Sequence, residues 1–66
     1  MSKSRELRLK KGLSIIDLSH KLDIHPSMIS QLERGRTSAG AKVRKTLCSF
    51  YRVPEGKLFN SNGFAI

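Results

Sequence analysis

The sequence predicts an all-α fold, a compact bundle of four helices plus a short fifth. Three observations lead there. Apolar residues recur mostly at helical spacing, and no strand-length alternation stands out. Turn-forming residues punctuate the chain at Gly12, Asp23–Pro26, Gly35–Gly40, Pro54 and Asn60–Gly63. The 66 residues suffice for one domain and leave no room for a second.

Each element has a local reason. Ser2–Lys11 is rich in Lys, Arg, Glu and Leu, all good helix formers. Gly12 suits the position just past the helix end, and Lys10 and Lys11 suit the last turn's dipole. Ser14 opens a second helix, with Asp17 three residues on in a pattern like a capping box. Leu18 and Leu22 share one face of it. Asp23-Ile24-His25 breaks that helix, and Pro26 is well tolerated at the start of a third. Ile29 and Leu32 form the third helix's inner face, and Gly35 ends it. A fourth helix runs from about Ala41 to Tyr51, with Val43, Leu47, Phe50 and Tyr51 inward. Pro54–Phe59 reads as the short fifth. The expected division is a domain over residues 1–59 and a C-terminal tail over 60–66.

The second and third helices, joined by a break of about four residues, have the form of a helix-turn-helix. Leu18, Leu22, Ile29 and Leu32 would pack one helix across the other, with Ile24 pinning the corner. That packing would lift the outer face of the third helix clear of the domain.

The charge points the same way. The chain carries 13 Lys and Arg against 5 Asp and Glu, a net of +8. Residues 1–11 stand at +4, residues 12–33 at −2 and residues 34–66 at +6, so two basic flanks bracket a mildly acidic centre. Such an excess favours a polyanionic partner. The third helix is nearly uncharged until Glu33 and Arg34, so the flanks are expected to supply affinity and the helix to supply choice.

The ordered set Arg5-Glu6-Leu7-Arg8, Lys11-Gly12-Leu13-Ser14, Asp17-Leu18, Lys21-Leu22, Ser30 to Gly35, Val53-Pro54 and Leu58-Phe59 resembles the phage repressor and Cro type of helix-turn-helix protein, also called the xenobiotic-response-element family. The resemblance runs from Ser4 to Phe59 without a gap. It implies a sequence-specific transcriptional regulator, most often a repressor, bound as a homodimer to a near-palindromic double-stranded DNA operator. It implies an ion pair between Arg8 and Glu33. It also implies that Pro26, Ser27, Met28 and Gln31 face base edges, and that Ser14, Ser30 and Arg34 hold phosphates. Gln31 suits a bidentate contact with adenine. For Met28 two readings stay open, contact with a thymine methyl or packing in the core. The loop Arg36-Thr37-Ser38 offers a cation, hydroxyls and backbone amides to the DNA backbone. Of Lys42, Arg44 and Lys45, one at most is expected to join.

The sequence departs from the family pattern at several positions. Ile15 stands where a phosphate-holding glutamine is usual, and Ile16 is apolar at a usually polar place. They form either a small contact patch or a rotated helix that buries one of them. Asp23 replaces a frequent glycine in the turn, His25 replaces the usual Ser or Thr cap, and Ser4 stands where an apolar residue is common. A dimer contact is expected to use Val53, Phe59, Phe64 and Ile66, the alternative for each being packing within the chain. The Phe64–Ile66 tail could also pair as a strand across the dimer axis.

Other chemistry finds little support. His20 and His25 lie five apart across a break with Cys48 distant, which is no zinc spacing. No phosphate-cradling glycine loop and no nucleophile–base arrangement is visible, which argues against an enzyme, a cofactor or a small-molecule effector. The longest apolar run is three residues, Phe64-Ala65-Ile66, so neither a membrane span nor a signal-peptide core is expected. A single cysteine permits no intrachain disulfide, which suits a reducing cytosol, and the resemblance implies a cytoplasmic protein associated with the nucleoid. Two rival readings remain open: an antitoxin-like or other protein-interaction module using Ile15 and Ile16, and a non-specific nucleic-acid binder.

Overall fold

A computed structural model describes residues 2–66, which form five helices. Helix α1 spans Lys3–Lys10, α2 Ile15–Leu22, α3 Pro26–Glu33, α4 Ala41–Tyr51 and α5 Glu55–Leu58.

The helix ends follow side-chain chemistry. Ser2 caps α1 by accepting the Arg5 amide at 3.2 Å. Ser14 and Asp17 form a reciprocal capping box at α2, with bonds of 3.0 and 3.1 Å. It satisfies two backbone N–H groups that the first turn would otherwise leave unpaired. Asp23 ends α2 in the left-handed conformation, φ 55° and ψ 44°, which its short polar side chain tolerates. Arg52 takes the same conformation after α4 with φ 58°, and its residue type gave no signal for it.

Leu18, Ile29 and Leu32 are each 2 % exposed or less and form the α2–α3 contact, with Leu22 and Ile24 packed against them. Leu47, Cys48, Tyr51, Leu58 and Phe59 continue this core through α4 and α5. Ile15 is half-buried against the core, whereas Ile16 is exposed, so the two do not form a joint patch.

The tail differs from expectation. Phe59 pairs with Ala65 in an antiparallel bridge within the same chain. The Ile66 amide donates to the Leu58 carbonyl at 3.0 Å, and the Lys3 amide donates to the Ile66 carbonyl at 2.6 Å. Asn60 organises the bend, its Oδ1 accepting the Asn62 and Phe64 amides. Residues 60–66 thus fold back onto the domain and close against the start of α1, with both backbone groups of Phe64 and Ile66 engaged. The strand-like pairing of this tail is thus made within the chain, to Phe59. Phe59, a dimer candidate above, is 4 % exposed and belongs to the core, so it offers no surface to a second copy. Val53 packs against the core, Phe64 is half-buried and Ile66 remains exposed.

Among the described residues, no helix is long and apolar enough to cross a membrane. No group of three or more His, Cys, Asp or Glu among them could hold a metal ion.

Candidate nucleic-acid interface

The packing of Ile29 and Leu32 into the core turns the opposite side of α3 outward. Ser27, Met28 and Gln31 are exposed there, while Pro26 and Ser30 are partly covered. Met28 is 38 % exposed, so its side chain is a surface group and not a core one. The start of α3 is built by His25, whose Nδ1 accepts the Ser27 amide at 3.1 Å. An imidazole nitrogen here does the work of the usual hydroxyl cap, and Pro26 at the first helical position has no N–H to satisfy.

The far end of α3 is anchored by Arg8. Its Nε donates to Glu33 Oε2 at 2.8 Å, its Nη2 to Oε1 at 3.0 Å and its Nη1 to the Leu13 carbonyl at 2.8 Å. Arg8 and Glu33 are 5 % and 8 % exposed. The pair is thus buried, and the small value of a solvent-exposed bridge does not apply to it. The hydrogen bonds it donates to Glu33 hold the guanidinium above its ordinary pKa against the opposing effect of burial.

Beside this pair lies the Tyr51 hydroxyl, buried and without a hydrogen bond of ordinary length. Burial, reinforced by the Glu33 charge, pushes it up to about 12, while Arg8 and the neighbouring Ser4 hydroxyl act in the opposite sense. Ser4 is itself 3 % exposed. A polar residue fits this usually apolar position because it faces the buried phenol.

A shallow groove between α1, α2 and α3 is lined by Arg5, Arg8, Ile15, Ser30, Glu33 and Arg34. With Arg8 and Glu33 paired, Arg5 and Arg34 are its free cations, both exposed. Arg5 was missed as a phosphate candidate, although it lies one helical turn before Arg8 in the basic first block. Ser14 sits exposed at the start of α2, with its oxygen engaged as a cap.

The loop after α3 is tied to it by the Arg36 amide, which donates to the Gln31 carbonyl at 2.9 Å. Arg36 and Ser38 are exposed and Thr37 is half-buried. Arg44 is occupied elsewhere. It pairs with Glu55 at 2.9 Å and donates to the Ala39 carbonyl at 2.6 Å. Lys42 and Lys45 are exposed on α4.

No curated protein and no solved structure matches the chain. A helix-turn-helix family model matches residues 5–58, which span all of α2–α5 and most of α1. The chain therefore belongs to the helix-turn-helix family of phage repressor and Cro type, a family of DNA-binding regulators.

Proposed function

We propose that this protein is a sequence-specific transcriptional repressor that reads the major groove of double-stranded DNA with α3. The observation that carries the reading is the division of α3 into two faces. Ile29 and Leu32 hold it in the core, while Ser27, Met28 and Gln31 stand exposed on a side with no other occupant among the described residues. Residues near a reading helix's N-terminus contact base edges in this geometry. Gln31 takes the bidentate role toward adenine, Met28 the contact with a thymine methyl, and Pro26 and Ser27 the helix start.

Affinity on this reading comes from phosphate contacts by Ser14, Ser30, Arg34 and the loop residues Arg36, Thr37 and Ser38, with Arg5 added by the groove it shares with Arg34. The protein acts as a homodimer on a near-palindromic operator, its work located at the nucleoid. Ile66, the half-buried Phe64 and the edge of Val53 are the surfaces left for a dimer contact once Phe59 is assigned to the core.

Selection of bound duplexes from a random pool tests the reading. Enrichment of a two-fold symmetric site, with half-sites about one DNA turn apart, is the expected result. Equal recovery of all sequences would leave a non-specific binder instead. The protein-interaction reading keeps only Ile16, 54 % exposed, because Ile15 is drawn into the domain. A single exposed isoleucine is ordinary on a protein surface.

A further inference from the structure

Ser27 meets His25 twice. Its backbone N–H donates to His25 Nδ1 at 3.1 Å, and its Oγ lies 2.8 Å from the same nitrogen. A backbone N–H can only donate, so Nδ1 carries a lone pair and no hydrogen. The neutral ring then holds its proton on Nε2. One polarity remains for the second contact: the Ser27 hydroxyl hydrogen points at Nδ1. A serine hydroxyl has one hydrogen and two lone pairs. With the hydrogen committed to His25, the hydroxyl presents only acceptor capacity to whatever approaches α3.

We infer that His25 is a specificity-determining residue, fixing the Ser27 hydroxyl as an acceptor so that α3 selects a base presenting an amino group. In the major groove those groups are the N6 amine of adenine and the N4 amine of cytosine. Guanine and thymine offer acceptors at the corresponding edge. Both side chains are exposed and make no other hydrogen bond among the described residues, so this geometry is not imposed by a neighbouring element. A cap residue without the ring would leave the hydroxyl free to turn and to donate or accept alike. The inference rests on the reading above, in which Ser27 faces base edges.

The test has two arms. In the first, duplexes are selected from a random pool with the unmodified chain, with Ser27→Ala and with His25→Gly. Glycine is a tolerated cap residue, so this variant keeps the start of α3. The unmodified chain should enrich adenine or cytosine by roughly five- to tenfold at one position per half-site. Ser27→Ala should lose that preference and keep the others. His25→Gly should still bind, with guanine and thymine admitted at that position to within about twofold. Retention of the full adenine or cytosine preference by His25→Gly overturns the inference and leaves the DNA-reading role of α3 intact. So does enrichment of guanine or thymine there by the unmodified chain, or a preference unaffected by Ser27→Ala. Failure of the unmodified chain to select any site overturns the reading itself. The second arm needs no DNA. Long-range proton–nitrogen correlation spectra of the free protein should show the His25 proton on Nε2, and a proton on Nδ1 would exclude the proposed polarity.

Discussion

Arg8 on α1 and Glu33 at the end of α3 form a two-point ion pair whose side chains are 7 % and 4 % exposed. It ties the first helix to the helix that faces outward, so the pair orients α3 as well as stabilising the bundle. Removing one partner strands the other charge in the interior, at a cost of about 3–5 kcal/mol. A domain of this size holds only about 3–10 kcal/mol in total. Arg8→Met should therefore remove most of the stability measured by urea unfolding. The double variant Arg8→Met with Glu33→Leu should recover much of it, because no charge is left buried. A double variant as unstable as the single one would mean that stranded charge is not the cause.

Gly63 and Gly56 should respond to alanine with opposite signs. Gly63 has φ +85°, and an added Cβ would lie 2.9 Å from the Ala39 carbonyl oxygen. That oxygen is backbone and also accepts from Arg44, and the Ala39 amide donates to the Gly63 carbonyl at 2.8 Å. The contact leaves little freedom to relax, so Gly63→Ala should cost about 1–3 kcal/mol and loosen the tail. Gly56 lies within α5 with open space around its Cβ position. Gly56→Ala should gain up to about 1 kcal/mol. Thermal midpoints of both variants check the pair, and a stable Gly63→Ala would contradict the close approach.

Much of the fold was legible because its boundaries rest on local chemistry. Ser14 with Asp17, Pro26 and the glycines at 12 and 35 mark helix ends whatever the rest of the chain does. The features that were not legible depend on partners distant in sequence. Nothing in Phe64-Ala65-Ile66 announces pairing with Leu58, Phe59 and Lys3. Arg44 reads as one more surface cation until Glu55 and the Ala39 carbonyl are placed beside it. On α3, periodicity separated the inner from the outer face, but it left Met28 undecided. Neither spacing nor residue type showed that His25 would hold the Ser27 hydroxyl.

Tyr51 should make the folded state sensitive to strong alkali. Its phenol is pushed up to about 12 from an ordinary 10, chiefly by burial. Below pH 10 both folded and unfolded chains keep the proton, so the group adds no pH dependence there. Between about pH 10 and 12 the unfolded chain releases it first, and stability falls by roughly 2–3 kcal/mol before levelling off. Lysines titrate in the same range, so the measurement is the difference between the unmodified chain and Tyr51→Phe. That variant removes a buried hydroxyl with no bond of ordinary length, so its stability at neutral pH should be unchanged or slightly higher. It should also lose this part of the alkaline decline. Parallel alkaline curves for the two proteins would place the phenol in a more hydrated setting.

Gln31 and Arg34 separate choice from affinity within the proposed DNA interface. Gln31 is exposed at the middle of α3, and its amide can donate and accept together toward adenine. Gln31→Ala should relax base preference at one operator position, at a cost of about 1–3 kcal/mol on the preferred site. Arg34 caps the end of α3 and lines the groove it shares with Arg5, where a phosphate would meet both cations. Arg34→Ala should weaken binding to all duplexes alike and lower the slope of log affinity against log salt by about one unit. Titrations of a selected and a scrambled duplex across a salt series distinguish the two roles. A loss for Arg34→Ala confined to the selected duplex would make it a base reader, and an unchanged site preference for Gln31→Ala would remove that residue from the reading face.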